Sequence, residues 1–233
     1  MAIFLLCYLL FQLFLSEVGT MIIHIMAGGP THLHPDFEQY YNEEVTWVAV
    51  DRGVYHLLQK GIVPYVAFGD YDSVSTTELE WMKQRTDELH IVPKEKDETD
   101  LELAINWSLQ QEPDCIRVFG ATGGRLDHEL ANVQMLMKAI NQKTEITIID
   151  CKNEIQMKKP GTYLLTLNSR FPYVSFLSVS EFVSGITLQG FKYPLSNRTL
   201  SMGSTLCISN ELVVEKGTFS FSSGILLVVR STD

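Results

Sequence analysis

The chain has 233 residues, with 28 acidic groups against 18 Lys plus Arg, a net charge of −10 at pH 7 and 45% hydrophobic residues. Its length and composition are those of a folded soluble protein with core enough for one large or two small domains. Charge is unevenly spread: residues 1–150 hold 23 acidic and 10 basic groups, residues 151–233 hold 5 and 8. The acidic part lacks the Lys/Arg stripe that neutralises nucleic-acid phosphates, so a phosphate ligand there needs metal cations.

The first apolar run, Ile3 to Leu15, is broken only by Gln12. It is short for a membrane span and lacks the basic start and small-residue cleavage site of a signal peptide. Residues 1–20 are therefore read as an apolar extension ahead of Met21, outside the fold, with no membrane partner expected; a membrane or secretory signal and a buried helix are the alternatives. Cys7, Cys115, Cys151 and Cys207 are widely spaced, without a CxxC pair, and read as thiols of a reducing compartment.

From Met21 onward, short apolar runs alternate with longer amphipathic ones, the pattern of parallel strands joined by crossover helices. Strands are expected over Ile22 to Met26, Thr46 to Val50, Tyr65 to Phe68, His90 to Val92, Ile116 to Phe119 and Glu145 to Ile149. Helices are expected over Pro35 to Tyr41, Gly53 to Lys60, Thr76 to Arg85, Thr99 to Gln110 and Asp127 to Ile140. Several strands end in glycine or acid: Ala27-Gly28-Gly29, Asp51, Gly69-Asp70 and Gly120. In an open parallel sheet these carboxyl ends share one edge, where ligands bind at a switch point.

After Asp150 the chain turns rich in Ser, Thr and β-branched residues. Runs at Tyr163 to Leu167, Val174 to Val179, Gly185 to Leu188, Thr205 to Ile208 and Ile225 to Val229 suggest a small antiparallel sandwich or barrel. Asp150 to Asn153 is the expected linker, dividing the chain into 21–150 and 151–233.

Three motifs fall on the predicted edge. In Gly69-Asp70-Tyr71-Asp72-Ser73, extended backbone puts Asp70 and Asp72 on one side, where two carboxylates suit a hard cation such as Mg²⁺; a polar helix-capping turn is the plain alternative. In Lys96-Asp97-Glu98-Thr99-Asp100, Asp97 reads as a helix cap with Asp100 above it on the same face. In Gly120-Ala121-Thr122-Gly123-Gly124-Arg125-Leu126-Asp127-His128, a glycine loop between strand and helix suits close approach to a phosphate, though an ordinary tight turn has the same composition. No Walker A loop, GxGxxG or GxSxG is present. Two unit charges 4 Å apart repel by about 4 kcal/mol at an effective dielectric near 20, so an edge carrying Asp51 and the other acids argues for one or two Mg²⁺ ions holding a polyphosphate. His32 and His34 have no third ligand beside them and read as a surface loop. Trp47, Trp81 and Trp107 read as core.

With these motifs together, and Ser209-Asn210 in the tail, the chain from Met21 onward resembles the thiamine pyrophosphokinase (thiamine diphosphokinase) family. That family usually has Ala-Asp-Gly-Gly where this chain has Val50-Asp51-Arg52-Gly53, which puts the local loop geometry in question. The resemblance implies a Rossmann-like α/β nucleotide domain followed by an antiparallel β-sandwich that binds thiamine and dimerises. It further implies a homodimer with thiamine between the α/β domain of one subunit and the sandwich of the other, turning ATP plus thiamine into AMP plus thiamine diphosphate; the cysteine pattern and the strand opening at Met21 suggest a cytoplasmic location. Asp70, Asp72, Asp97, Asp100 and Asp127 are then catalytic candidates, with Asp70, Asp72 and Asp100 on Mg²⁺. Asp51, Lys96, Thr99, Gly123, Gly124, Arg125 and His128 would meet ATP, and Ser73, Tyr193, Ser209 and Asn210 thiamine. The alternatives are another Mg²⁺-dependent phosphotransferase or phosphohydrolase on the same edge, or a non-catalytic thiamine or nucleotide sensor.

Overall fold

A computed structural model describes residues 20–40, 45–69, 74–85, 91–92 and 98–233. Residues 1–19, which make up nearly all of the expected extension, lie outside the described residues. The first six strands are β1 (Ile22–Met26), β2 (Val45–Val50), β3 (Val66–Phe68), β4 (Ile91–Val92), β5 (Cys115–Phe119) and β6 (Glu145–Ile149). They pair in parallel in the order β6-β5-β1-β2-β3-β4. Between them run helices α1 (Gly53–Gln59), α2 (Thr76–Lys83), α3 (Asp100–Gln110) and α4 (Leu126–Met135).

Both faces of this sheet are covered, which is why its strands read as continuous apolar runs. Because successive side chains point to opposite faces, Ile23, Ile25, Val48 and Val50 pack with Leu101, Ala104 and Ile105 of α3. On the other face, Met26 and Ala49 pack with Val54 and Leu57 of α1 and Met82 of α2.

Two expected helices differ. Over Pro35 to Tyr41 the structure has only a 3₁₀ turn at Phe37–Tyr40, because the Asp36 carboxylate accepts from the Glu38 amide at 3.1 Å and competes with helical pairing. The helix expected to reach Ile140 ends at Met135 and tightens into a 3₁₀ turn, Leu136–Ala139.

The remaining strands are β7 (Asn153–Lys158), β8 (Gly161–Thr166), β9 (Tyr173–Ser178), β10 (Phe182–Gln189), β11 (Leu195–Ser201), β12 (Asn210–Glu211), β13 (Lys216–Phe221) and β14 (Leu226–Ser231). β7 pairs antiparallel with β6, so the parallel layer continues as β7-β14-β9-β12 into a ten-stranded sheet among the described residues. A second sheet, β11-β10-β13-β8, is antiparallel throughout. Val174, Phe176, Leu226 and Val228 of the long sheet pack on Ile186, Leu188, Leu200, Phe219 and Phe221 of the short one, giving the sandwich core. The expected antiparallel sandwich is therefore present, and its inner sheet is continuous with the parallel layer.

Residues 150–153 form the tight turn between β6 and β7, with the Asp150 amide donating to Asn153 O at 2.9 Å. Thr205 to Ile208, expected as a strand, is a turn: the Ile208 amide donates to Thr205 O at 3.2 Å and the Leu206 amide to Ser204 Oγ at 3.4 Å.

Candidate ligand cleft at the sheet edge

β1 lies between β2 and β5, so the order of connection reverses beside it, and the loops there splay apart. The segments after β1, β2 and β5, with the starts of α3 and α4, line a cleft of about 430 Å³. Its floor is tied across the switch point, since the Ala27 amide donates to Phe119 O and the Gly29 amide to Gly120 O, both at 2.8 Å.

The glycine loop forms one wall. Gly123 has φ +78°, and a Cβ there would collide with the Leu33 side chain, so this position requires glycine. Gly124 differs: a Cβ there would meet nothing within 4 Å, so its bareness serves open space at the cleft wall rather than packing. Three successive loop residues are gripped from outside. Asn132 Nδ2 donates to Ala121 O at 2.7 Å, Thr122 Oγ1 donates to Asp150 Oδ2 at 2.7 Å, and the Gly123 amide donates to Glu129 Oε2 at 2.9 Å.

Arg125 and His128 line the same wall. Arg125 precedes α4 in extended backbone and donates through Nε to Asp127 Oδ1 at 3.1 Å and through Nη2 to Oδ2 at 2.6 Å. Asp127 Oδ1 also accepts from the His128 amide at 3.0 Å, and the guanidinium hydrogen bonds hold its carboxyl below the usual range. Asp127, a candidate for metal or catalysis, thus faces Arg125 in this structure.

Acids occupy the opposite wall, where Asp51, Glu98 and Asp100 line the cleft. Asp51 has φ +50°, a left-handed conformation that aspartate tolerates better than most side chains, and its amide donates to Phe68 O at 2.8 Å. A Cβ at Gly69 would collide with the Asp51 carboxylate, so Asp51 lies against the residue that precedes Asp70. Arg52 fits without strain: it is right-handed at φ −61°, caps the start of α1 and pairs with Glu78 of α2 at 2.5 Å. The departure from Ala-Asp-Gly-Gly therefore adds an ion pair and leaves the loop intact. α3 begins at Asp100 with Thr99 as its cap, accepting from the Glu102 amide at 3.3 Å, which corrects the expectation that Asp97 caps this helix. Asp70, Asp72, Ser73, Lys96 and Asp97 lie outside the described residues. Among the described residues no three His, Cys, Asp or Glu side chains group as a metal site, yet the carboxylates of Asp51, Glu98 and Asp100 are the hard oxygen donors that Mg²⁺ takes.

Glu98, Thr122, Glu129, Asn132 and Asp150 were not singled out from the sequence. One signal was available: His128, Glu129 and Asn132 are spaced to share a face of α4, beside the loop that the helix follows.

The carboxyl-terminal candidates stand together elsewhere. Asn210 is 2% exposed, and its amide clamps one backbone: Nδ2 donates to Tyr193 O at 2.9 Å while Oδ1 accepts from the Tyr193 amide at 3.0 Å. Tyr193 itself is 59% exposed, with the Lys192 ammonium 5.8 Å from its ring centroid. Ser209 has φ +54°, and its amide donates to Ser175 Oγ at 2.9 Å. Between β12, which begins at Asn210, and β5, which leads into the glycine loop, lie five strand-to-strand steps, roughly 24 Å at the usual spacing.

Fold and cleft define an α/β protein with a doubly wound sheet, a glycine-rich, acid-flanked cleft at its switch point, and an attached β-sandwich. Residues 37–148 match the model of the thiamin pyrophosphokinase catalytic domain, and residues 152–226 that of the thiamin pyrophosphokinase vitamin B1 binding domain. A thiamine pyrophosphokinase of Bacillus subtilis (strain 168) is 48% identical over 211 residues, covering 91% of this chain and 99% of the relative. Its crystal structure superposes with a TM-score of 0.88, and that of a thiamin pyrophosphokinase from Geobacillus thermodenitrificans, 50% identical over 91% of this chain and 98% of that one, with 0.87. The chain belongs to the thiamine pyrophosphokinase family, a family of enzymes.

Proposed function

We propose that the chain transfers a diphosphoryl group from ATP to the hydroxyl of thiamine, the activity of its family. The observation that carries this reading is the cleft, which sets a glycine loop with Arg125 against the acids Asp51, Glu98 and Asp100. Thiamine's hydroxyl oxygen forms a bond to the β-phosphorus, the bond from that phosphorus to the α-phosphate oxygen breaks, AMP leaves and the hydroxyl proton is released. Such displacement is catalysed mainly by alignment and charge neutralisation.

In this reading Gly124, Arg125 and His128 face the ATP phosphates, with Asp51, Lys96 and Thr99 completing the nucleotide site; Gly123, expected beside them, has its amide held by Glu129 and shapes the loop instead. Asp70, Asp72 and Asp100 hold Mg²⁺, with Asp97 and Asp127 as orienting carboxylates. When bound, Mg²⁺ supplies positive charge to a polyphosphate in a half of the chain that has 23 acids. Ser73, Tyr193, Ser209 and Asn210 form the thiamine side, where an aromatic face beside a cationic thiazolium contributes roughly 0.5 to 2 kcal/mol. In this structure the amide of Asn210 is spent on the Tyr193 backbone, so its part is to present the ring.

Roughly 24 Å across five strands separates the two groups within one chain. That supports a homodimer in which the cleft of one subunit meets the sandwich of the other, dividing the work between residues 21–150 and 151–233. No helix among the described residues is long and apolar enough to cross a membrane, and a cytoplasmic location is part of the proposal. Incubation with ATP, Mg²⁺ and thiamine should yield AMP and thiamine diphosphate in equal amounts; ADP or free phosphate without AMP would refute the reading.

A further inference from the structure

Asp150 lies at the end of β6, is 2% exposed and does not line the cleft. Its carboxylate nevertheless gathers donors from two directions. Oδ2 accepts from Thr122 Oγ1 at 2.7 Å, within the glycine loop. Oδ1 accepts from the amides of Lys152 and Asn153, each at 2.7 Å, at the start of β7. Asn153 Nδ2 adds contacts of 3.2 and 3.1 Å to the two oxygens. Every partner donates, so the site suits a carboxylate, which offers acceptors on both oxygens, better than the amide of the same size.

We infer that Asp150 is a positioning residue for the nucleotide: it fixes Thr122, and through it the glycine loop, at the height where Gly124 and Arg125 meet the phosphates. The inference rests on the reading of the cleft as the ATP site. Three physical points lead to it. The loop has glycines at φ +65° and +78°, so its backbone has unusual freedom and needs external restraint. Its two other side-chain grips, Asn132 on Ala121 and Glu129 on Gly123, both come from α4, the element the loop runs into, and would move with it, while the Gly29 amide holds only the loop's first residue, Gly120. Asp150 supplies the grip from the sheet, and a buried charge-assisted bond is short and directional. Loop and helix are thereby registered against the strand layer that carries the rest of the cleft.

The test compares Thr122→Val, Thr122→Ser and Asp150→Asn with the parent chain, measuring kcat and KM for ATP and for thiamine separately. Thr122→Val removes the hydroxyl at nearly constant shape, while Thr122→Ser keeps it. In Asp150→Asn one oxygen can still serve the two amides, while the new NH₂ takes the place of the charged acceptor of the threonine hydroxyl and meets Asn153 Nδ2 donor to donor. Thr122→Val and Asp150→Asn should each raise KM for ATP about tenfold, the size of losing one charge-assisted hydrogen bond, with KM for thiamine unchanged. Thr122→Ser should restore the parent value, and combining Thr122→Val with Asp150→Asn should add little to either alone. Unchanged KM for ATP in Thr122→Val, or additive effects in the double variant, overturns the inference even if Asp150→Asn fails to fold. A lower melting temperature with unchanged kinetics overturns it as well, showing a structural role only. A parent chain that forms no AMP would instead overturn the function on which the inference rests.

Discussion

Arg125 grips Asp127 two residues along with both faces of its fork, at 3.1 and 2.6 Å, while both side chains remain exposed. An exposed pair of this kind holds geometry and contributes little to stability. Its consequence is that the guanidinium is held in a defined orientation where it lines the cleft, and in the proposed function it exchanges this carboxylate for a phosphate. Arg125→Ala should lower kcat/KM for ATP by between about tenfold and a hundredfold, as expected for a lost contact to a charged group, and leave the melting temperature unchanged. Arg125→Lys should recover only part of the loss, because an ammonium cannot form the two-pronged contact. Steady-state AMP formation and a thermal melt check both statements.

The two glycines beside it should separate in behaviour. Ala at position 123 would adopt a left-handed conformation, costing about 1 to 2 kcal/mol, and would press on Leu33, so Gly123→Ala should melt earlier. Gly124→Ala meets open space, so its melting temperature should match the parent while its KM for ATP rises. Equal melting temperatures for the two variants would contradict the assigned geometry.

A third expectation concerns pH. His24 is fully buried among Tyr40, Trp47 and Phe119, and burial followed by the Arg117 charge lowers its pKa to about 3. His56, packed on His34, is lowered to about 4, chiefly by burial. Both imidazoles are neutral when folded and take up protons near pH 6.5 when unfolded, so stability is complete above that value and falls as pH drops toward 4 and then 3. Denaturant midpoints measured from pH 7 to 5 should decline, and His56→Leu should decline less steeply than the parent. Parallel slopes would show that His56 stays solvated.

Much of this architecture was legible along the chain because local pattern and fold agree. Ile22–Met26 and Glu145–Ile149 are apolar runs buried on two faces, and the structure keeps both to the residue. β7 was missed because Asn-Glu-Ile-Gln-Met-Lys shows little apolar pattern, and it becomes a strand by pairing with β6 and β14. The glycine loop was visible as a motif, whereas its anchor was not: 28 residues separate Thr122 from Asp150, and only the pairing of β5 with β6 brings them together. Asn210 was found as a site candidate, but its clamp on Tyr193 depends on a return of the chain 17 residues later.

Asp72→Asn should remove most activity, because an amide is a poorer Mg²⁺ ligand at similar volume, while the melting temperature is retained. Paired with a defect on the other side of the proposed site, it also tests where that site lies. Tyr193 and Asn210 are far from the cleft of their own chain, so a shared site predicts complementation between subunits. Asp72→Asn and Tyr193→Ala chains, each weakly active alone, should be unfolded together and refolded as a mixture. Mixed dimers then carry one site with both defects and one with neither, so random pairing should restore about a quarter of the parent activity. A mixture no more active than the average of its two components would place each complete site within a single chain, and sedimentation of the parent as a monomer would exclude the shared arrangement outright.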